Sequence, residues 1–271
     1  MLMPFRRRKA SDHGPPPSVG EDVRVYAIGD IHGRDDLFAE LLEKIARDEA
    51  DRPPLPRLLI LLGDLVDRGP QSAQVVERAM KLAQSGQNIR FIKGNHEEMF
   101  IAAARGEAQA AHFFRRFGGV ETLASYGLSP DDSSAMSDAA LAQWMLTHIP
   151  RGPIDFLDDF PDMLTIGDYL FVHAGVRPRI ALDAQIPADL RWIRGDFLNH
   201  RRRFGKMIVH GHSISEDVDI QSNRIGIDTG AFRSGKLTAI GLEQGQRWFL
   251  QTGADGEQHV SPAIDPIRSA S

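Results

Sequence analysis

Five short motifs place metal-binding side chains where strands are predicted to end. Three of them follow apolar runs at residues 23–28, 58–62 and 89–92, which are rich in β-branched and aliphatic residues. Open α/β sheets bind ligands just beyond the carboxyl ends of their strands. We therefore predict that these side chains converge on one cleft of a metal-dependent hydrolase. The motifs are Gly29-Asp30-Ile31-His32-Gly33, Gly63-Asp64-Leu65-Val66-Asp67-Arg68-Gly69, Gly94-Asn95-His96-Glu97, Val172-His173-Ala174-Gly175 and His210-Gly211-His212.

The bulk properties predict a cytoplasmic globular protein. The chain has 271 residues, of which 42% are hydrophobic and 25% charged, and it has no cysteine, so disulfides and thiolate metal sites are excluded. No apolar run approaches the roughly 20 residues that span a bilayer, which argues against a membrane partner. The basic cluster at residues 6–9 has no apolar segment behind it and does not resemble a secretory signal. A net charge of −5 argues against nucleic-acid binding.

The first third of the chain alternates predicted strands with amphipathic helices. Apolar residues recur at three- and four-residue spacing after the first strand, and a second such face follows Pro70. Two successive βαβ crossovers imply parallel strand pairing and a layered α/β fold. The two helical faces consist of Leu37, Leu41, Leu42 and Ile45, and of Val75, Val76, Ala79, Met80 and Leu82.

The remaining pattern predicts one domain at residues 22–256. An alanine-rich segment at 98–149 is predicted to be a helical insertion over the strand ends, and the short strands that follow, from Met163 on, are predicted to be mostly antiparallel. Gly167-Asp168 is predicted to form a tight hairpin. Residues 1–21, basic and proline-rich, are predicted to be a disordered arm, and residues 257–271 a loose tail.

The chemistry of the strand-end residues favours a pair of metal ions. Asp30 and His32 combine a carboxylate with an imidazole, a set that suits Mn, Fe or Zn, although Asp30 alone could equally cap a helix. Asp64 ends the neighbouring strand, and two close carboxylates repel unless a cation lies between them. A carboxylate that bridges two metals resolves this repulsion. The predicted ligands are Asp30, His32 and Asp64 for one ion and Asp64, Asn95, His173 and His212 for the other.

The blocks GDIHG, GDLVDRG and GNHE, in this order, resemble the phosphoprotein phosphatase family of calcineurin-like metallophosphoesterases, and most closely its bacterial serine/threonine phosphatase branch. The resemblance continues through FVHAG, LRWIR and HGHS to Ile227-Asp228-Thr229-Gly230, so it covers nearly the whole chain after residue 23. It implies a four-layer α/β/β/α sandwich with two mixed sheets and a two-metal site at the top edge.

The resemblance also implies roles for individual residues. A hydroxide that bridges the two metals attacks phosphorus in line. Arg68 and Arg194 hold the phosphate oxygens in a fork, together with Asn95. His96 protonates the leaving alkoxide, and Asp67 orients this histidine and keeps it protonated.

Some assignments stay open in the sequence. His210 competes with His212 for one ligand position, and the Gly-His order favours His212. Phe117 stands where the family usually has asparagine before its glycine pair, which leaves the role of that loop open. Glu97 and Glu98 are expected at an exposed helix start. The triplet at residues 228–230 also matches aspartic proteases, but no second copy supplies the other carboxylate they require.

The leading functional hypothesis is a phosphomonoesterase acting on phosphoserine and phosphothreonine in proteins. The alternative is a symmetrical dinucleoside polyphosphate hydrolase acting on diadenosine tetraphosphate, because close relatives share these blocks. Asp67 and Glu97 favour the protein phosphatase form by resemblance. A catalytically inactive scaffold would be expected to have lost ligands, whereas every position is filled, and a Rossmann domain would need Gly-x-Gly-x-x-Gly after its first strand. The expected partner is a phosphorylated protein or a small phosphoester substrate, and the sequence does not determine the physiological substrate, the native metals or the oligomeric state.

Overall fold

A computed structural model describes residues 15–253 and 259–261, and the strands within these ranges form two sheets. The first sheet contains β1 (Arg24–Ile28), β2 (Arg57–Leu61), β3 (Ile89–Phe91), β9 (Thr238–Glu243), β10 (Gln246–Gln251) and β11 (His259–Ser261). The second contains β4 (Met163–Ile166), β5 (Tyr169–Val172), β6 (Met207–His210), β7 (Asp219–Ile220) and β8 (Arg224–Gly226). Their spatial orders are β11-β10-β9-β1-β2-β3 and β4-β5-β6-β8-β7.

Helices lie on the outer faces of both sheets and in one long segment between β3 and β4. The first two, α1 (Asp35–Ala50) and α2 (Ser72–Gln84), bury the apolar faces that the sequence predicts. The others are α3 (Asn95–Ala104), α4 (Ala108–Phe114), α5 (Val120–Ser125), α6 (Pro130–Ala135), α7 (Asp138–His148), α8 (Arg151–Asp158), α9 (Pro187–Trp192), α10 (Gly195–Leu198) and α11 (Ala231–Ser234). A π-helical turn at Arg115–Gly119 joins α4 to α5, and a 3₁₀ turn lies at Leu182–Ala184.

The side-chain alternation of the central strands shows how the layers stack. Tyr26 and Ile28 of β1 pack among the helices, whereas Val25 and Ala27 pack between the two sheets with Val209 of β6. A third apolar cluster covers the outer face of the second sheet with side chains from α9 and α10. Successive strand residues point to opposite faces, so this pattern gives four layers. The predicted α/β/β/α sandwich with two mixed sheets is confirmed.

The prediction that the second half is mostly antiparallel is wrong for its central strands. β5 pairs with β6 and β6 with β8 in parallel, while β9 and β10 return to the first sheet beside β1. Residues 173–206 provide a crossover with short helices between β5 and β6, and parallel pairing requires such a connection of a dozen residues or more. The hairpin at Gly167-Asp168 is present between β4 and β5.

The chain ends differ in part from their predictions. Residues 1–14, including the basic cluster of the predicted arm, lie outside the described residues. The rest of that arm is not free, because Val19 is buried and its N–H donates to Gln244 O at 3.0 Å. The tail predicted to be loose from residue 257 contains β11, which pairs with β10 because an edge strand offers free backbone groups. Within the described ranges, no helix combines the length and apolar character needed to cross a bilayer.

Candidate metal centre

The predicted ligands meet at one edge of the two sheets. β1, β2 and β3 are mutually parallel in the first sheet, as are β5, β6 and β8 in the second. The carboxyl ends of these strands lead into the motifs that carry the predicted ligands. Across the sheets, His212 N–H donates to both oxygens of Asp30 at 3.1 and 3.0 Å, and His173 Nε2 lies 3.0 Å from Asn95 Oδ1. The convergence predicted from the sequence is therefore observed.

The backbone of the site is strained where it turns side chains into the cleft. Seven non-glycine residues in the described ranges have positive φ, and five belong to the motifs. Each such residue costs roughly 1–2 kcal/mol relative to ordinary backbone. Outliers of this kind cluster at functional sites, where the surrounding structure enforces them. The five are His32 (47°), Asp64 (51°), Asp67 (73°), Arg68 (69°) and His212 (62°).

Asp64 lies between two groups of imidazoles. Its Oδ2 is 3.5 Å from His32 Nε2 and 3.9 Å from His96 Nε2. Its Oδ1 is 3.3 Å from His173 Nε2, and His212 completes the second group. Each group brings its ligand atoms within 4.8 Å of one another, close enough to hold a metal ion. One carboxylate therefore serves both potential metal positions.

Hydrogen bonds fix the tautomers of two imidazoles. His32 Nδ1 lies 2.8 Å from Val66 O, and His173 Nδ1 lies 2.8 Å from Leu62 O. A carbonyl oxygen only accepts, so each Nδ1 carries a proton, and in the neutral ring Nε2 keeps a lone pair. Backbone contacts of this kind orient histidine ligands in metalloproteins. Both Nε2 atoms face the interior of the site.

Buried negative charge in the site calls for cations. Burial raises the pKa of Asp30 well above its usual value, and the neighbouring Asp228 carboxylate raises it further. Asp228 is itself buried, and its Oδ2 has no hydrogen-bond partner among the described residues. Burial opposes protonation of His173, yet Asp64 outweighs it and raises the pKa of His173 to about 10. In the metal-free protein, the proton on His173 thus offsets the negative charge of Asp64, which bound cations would otherwise neutralise. The buried carboxylates and imidazoles of the site therefore fit a pair of metal ions.

His96 and Asp67 form a buried pair beside the metal positions. His96 Nδ1 donates to Asp67 Oδ2 at 2.6 Å. Thr122 of α5 donates to Asp67 Oδ1 at 2.7 Å and accepts from Asp67 N–H at 2.9 Å. Burial opposes the charged imidazolium, but the carboxylates of Asp64 and Asp67 raise the pKa of His96. The pair can therefore hold a proton at His96 Nε2, which faces the cleft.

The two arginines of the predicted phosphate clamp contact different groups of imidazoles, Arg68 the first group and Arg194 the second. Arg68 donates to His32 Nε2 at 2.8 Å and to His96 Nε2 at 3.0 Å. Arg194 Nε donates to His212 Nε2 at 3.0 Å. Both guanidinium groups thus lie at the entrance, within reach of an anion bound over the metal positions.

Two assignments left open by the sequence are resolved by geometry. His212 belongs to a metal-competent group, whereas His210 packs edge-on against Phe197 and its Nε2 has no partner among the described residues. Burial lowers the pKa of His210 to about 4, so it stays neutral. Asp30 caps no helix, because α1 begins at residue 35.

The expectation of an exposed Glu97 is wrong. Its side chain is fully buried and accepts three backbone N–H bonds, from Asp64 (2.8 Å), Leu65 (2.7 Å) and Gly94 (2.9 Å). The third residue of a helix can reach back to its N-cap, and here the turn after β2 also lies within reach. Glu97 therefore fixes the loop that presents Asp64.

Sequence reasoning missed two further site residues. Asp228 follows β8 just as Asp30 follows β1, so a carboxylate after an apolar strand was the available signal. Thr122 gave no such signal, since it lies in a helix 55 residues from Asp67.

This layered fold, with carboxylate and imidazole ligands at the strand ends, defines a metal-dependent phosphoesterase. The calcineurin-like phosphoesterase family profile matches residues 23–232, and the chain belongs to that family.

Two similar curated relatives are both named as bis(5'-nucleosyl)-tetraphosphatases. The asymmetrical bis(5'-nucleosyl)-tetraphosphatase PrpE of Anoxybacillus flavithermus is 29% identical over 232 residues, which cover 79% of this chain and 88% of the relative. The symmetrical bis(5'-nucleosyl)-tetraphosphatase of Paracidovorax citrulli is 36% identical over 164 residues, 60% of this chain and 48% of the relative. The chain thus spans about half the length of that symmetrical enzyme.

Solved structures support the same fold. A putative diadenosine tetraphosphatase superposes with a TM-score of 0.60 at 20% identity, covering 88% of this chain and 100% of that one. A cold-active protein tyrosine phosphatase gives a TM-score of 0.55 at 19% identity, covering 92% of this chain and 83% of that one. At such identities these likenesses show the fold alone.

Proposed function

We propose that this protein is a two-metal hydrolase of dinucleoside polyphosphates such as diadenosine tetraphosphate. The observation that carries the chemistry is Asp64, whose two oxygens face different groups of imidazoles. The substrate class rests on the relatives, because the similar curated enzymes of both kinds are named as bis(5'-nucleosyl)-tetraphosphatases.

The ligand assignment adds Asp30 to the first group, in which His96 is kept as the acid, and Asn95 to the second. One ion would be held by Asp30, His32 and Asp64, and the other by Asp64, Asn95, His173 and His212. Oxygen and nitrogen donors together suit Mn, Fe or Zn. When bound there, two cations would lower the pKa of water and would neutralise charge that develops on a phosphate.

The clamp and the acid are supplied by the chain itself. Arg68 and Arg194 would hold non-bridging phosphate oxygens, together with Asn95, whose Oδ1 lies 3.0 Å from His173 Nε2. Guanidinium groups match phosphate in a forked geometry. When an anion draws Arg68 away from His96, Nε2 of this imidazole can take up a proton from water and then donate it to the leaving oxygen. Asp67 holds the ring in place and favours its charged form.

We replace the predicted preference for phosphoserine and phosphothreonine with the hypothesis that the substrate is a dinucleoside polyphosphate. The curated relatives are tetraphosphatases, and the protein tyrosine phosphatase structure resembles this chain in fold alone. The alternative function weighed from the sequence thus becomes the leading proposal. The products identify the cleavage position, because symmetrical cleavage of diadenosine tetraphosphate yields two ADP molecules and asymmetrical cleavage yields ATP and AMP.

A substrate panel tests the proposal. Purified protein with Mn²⁺ is given diadenosine tetraphosphate, phosphoserine and phosphothreonine peptides, and a phosphotyrosine peptide. Cleavage within the polyphosphate chain yields two adenine nucleotides and no inorganic phosphate, so chromatography and a phosphate assay separate the reactions. We expect kcat/KM for the dinucleotide to exceed that for any peptide by at least about tenfold. A higher value for a phosphopeptide would overturn the substrate assignment.

His96→Asn checks the acid within the same panel, and chelator checks the metals. Turnover of the dinucleotide should fall about 100-fold or more in the variant, the usual contribution of a general acid. Chelator should abolish turnover in both proteins, and an unchanged rate in chelator would contradict metal dependence.

A further inference from the structure

Three large aromatic side chains are exposed, and two of them, Phe117 and Trp192, belong to segments that contact residues of the metal centre. Among the described residues, Phe113, Phe117 and Trp192 are 42%, 48% and 41% exposed. The other large exposed hydrophobic side chains are aliphatic. Isolated exposed hydrophobic residues are ordinary, but several aromatic ones around one cleft indicate a binding surface. Exposed aromatic rings offer flat faces on which other rings can stack.

Phe117 stands next to the first phosphate-clamping arginine. Its ring is nearly parallel to that of Phe113, with the centroids 6.4 Å apart and an interplanar angle of 18°. The next residue, Gly118, accepts a hydrogen bond from Arg68 N–H at 2.8 Å. The backbone beside Phe117 is thus hydrogen-bonded directly to Arg68, whose guanidinium contacts the imidazoles of His32 and His96.

Trp192 stands next to the second arginine. Its indole N–H donates to Glu98 Oε2 at 2.8 Å, which fixes the orientation of the ring. The ring lies edge-on to His212, with centroids 6.5 Å apart. Arg194, two residues further along the chain, donates to the same histidine. The second aromatic surface therefore lies by the second metal group.

We propose that Phe117 and Trp192 are the stacking surfaces for the two nucleobases of a dinucleoside polyphosphate, an inference that rests on the proposed function. A polyphosphate chain held between Arg68 and Arg194 carries one nucleoside at each end. Each nucleoside then leaves the clamp beside one exposed ring. Stacking accepts any base, because every base has a π-face. Recognition would come from the rings at the two sides and cleavage from the metal centre between them.

The two rings are built to keep their positions. The π-helical turn places Phe117 at φ −103° and ψ 20°, immediately before Gly118 at φ +105°. A side chain at Gly118 would bring its Cβ within 2.7 Å of Arg68 Cγ, so the close approach of this loop to the clamp requires glycine. On the other side, Arg191 holds the end of α9 through Asp162 at 2.6 Å. Loops that are preorganised in this way lose less entropy when a ligand binds.

Matched substrates and variants test the inference. Diadenosine tetraphosphate is compared with the P1,P4-dimethyl ester of tetraphosphate, which has the same phosphate chain but no bases. In Phe117→Ala and in Trp192→Ala, the ratio of kcat/KM for the dinucleotide to that for the dimethyl ester should fall about tenfold, a typical loss when one base–aromatic stack is removed. Phe117→Tyr and Trp192→Phe keep a ring and should restore most of the ratio. Ile186→Ala, at a residue that is 55% exposed and lies outside the site, should leave the ratio at its wild-type value.

Equilibrium binding gives a readout that does not depend on turnover. The Kd of a methylene-bridged, non-hydrolysable dinucleotide should rise about tenfold in either alanine variant, as measured by calorimetry. Wild-type ratios and Kd values in both alanine variants would overturn the stacking inference while the proposed function stood. Wild-type protein that hydrolyses the dimethyl ester but not the dinucleotide would overturn the proposed function and the inference with it. Alanine variants that keep the wild-type dinucleotide ratio but lose about tenfold in kcat/KM for a phosphotyrosine peptide would overturn the stacking inference and assign the rings to peptide side chains instead.

Discussion

Glu97 offers the sharpest test of how the site is held together. Its buried carboxylate accepts N–H bonds from Asp64, Leu65 and Gly94, so one side chain fixes both the loop that carries Asp64 and the start of α3. In Glu97→Gln the amide oxygen can replace one carboxylate oxygen. The amide nitrogen then faces a backbone N–H, and two donors oppose each other.

The cost of this change can be worked from the bonds. A hydrogen bond to a charged group contributes about 1.5–3 kcal/mol, and an unsatisfied buried donor costs about 1–3 kcal/mol. Part of the loss is offset. Burial and then the charge of Asp64 raise the pKa of Glu97, which means that both disfavour its carboxylate, and a neutral amide removes the repulsion between the two carboxylates. We expect a net loss of about 2 kcal/mol in the free energy of unfolding. For a domain of this size this lowers Tm by roughly 4–8 °C.

Urea unfolding of the metal-free variant measures this loss, and calorimetry measures Mn²⁺ affinity. Because Asp64 loses its support, metal affinity should fall 10–100-fold, as is usual when a group behind a ligand is replaced. Glu121→Gln is the matched control, since Glu121 is an exposed glutamate in the first turn of α5. An unfolding midpoint and metal affinity equal to wild type in Glu97→Gln would refute the role assigned to this carboxylate.

Three further predictions concern protons and positioning. Asp67→Asn removes a carboxylate that raises the pKa of His96, so the protonated form is lost at lower pH, and the basic limb of the kcat–pH profile should move downward. Thr122→Val removes the hydroxyl that donates to Asp67 Oδ1, whereas the Asp67 N–H keeps Ser72 Oγ as an acceptor at 3.0 Å. The variant should cost about 1–3 kcal/mol of stability by urea unfolding, and Thr122→Ser should retain the wild-type value. The pKa of His173 is about 10 in the metal-free protein, so metal binding at pH 7 should release a proton and should strengthen as pH rises. Calorimetry in buffers of different ionisation enthalpy measures the number of protons released. If no proton is released in any buffer, the assignment of His173 as a metal ligand is contradicted.

The strand-end motifs made the centre of the fold predictable. Apolar runs followed by a polar ligand, in most cases after a glycine, located β1, β2, β3, β5 and β6, and the six expected ligands do converge. The rule that parallel strands present their carboxyl ends to one edge was sufficient for this. Strand direction in the second half was harder to predict. Short alternating strands look alike whether parallel or antiparallel, and only the length of residues 173–206 indicated a crossover.

Residues that act from a distance were not predictable. Glu97 sits in the first turn of a helix, a position that is usually exposed, and its partners at residues 64 and 65 become neighbours only in the folded chain. Thr122 meets Asp67 because α5 packs against the start of α2, just after the loop that carries Asp67, and no local pattern indicates this contact. Asp228 could have been identified, since it follows a strand like the other ligands.

Anomalous diffraction from crystals of the Mn²⁺-loaded protein tests the metal pair most directly. We predict two peaks about 3.5–4 Å apart, the usual spacing in two-metal sites, one beside Asp30 and His32 and the other beside His173 and His212, with Asp64 between them. A single peak, or peaks away from Asp64, would contradict the two-metal account.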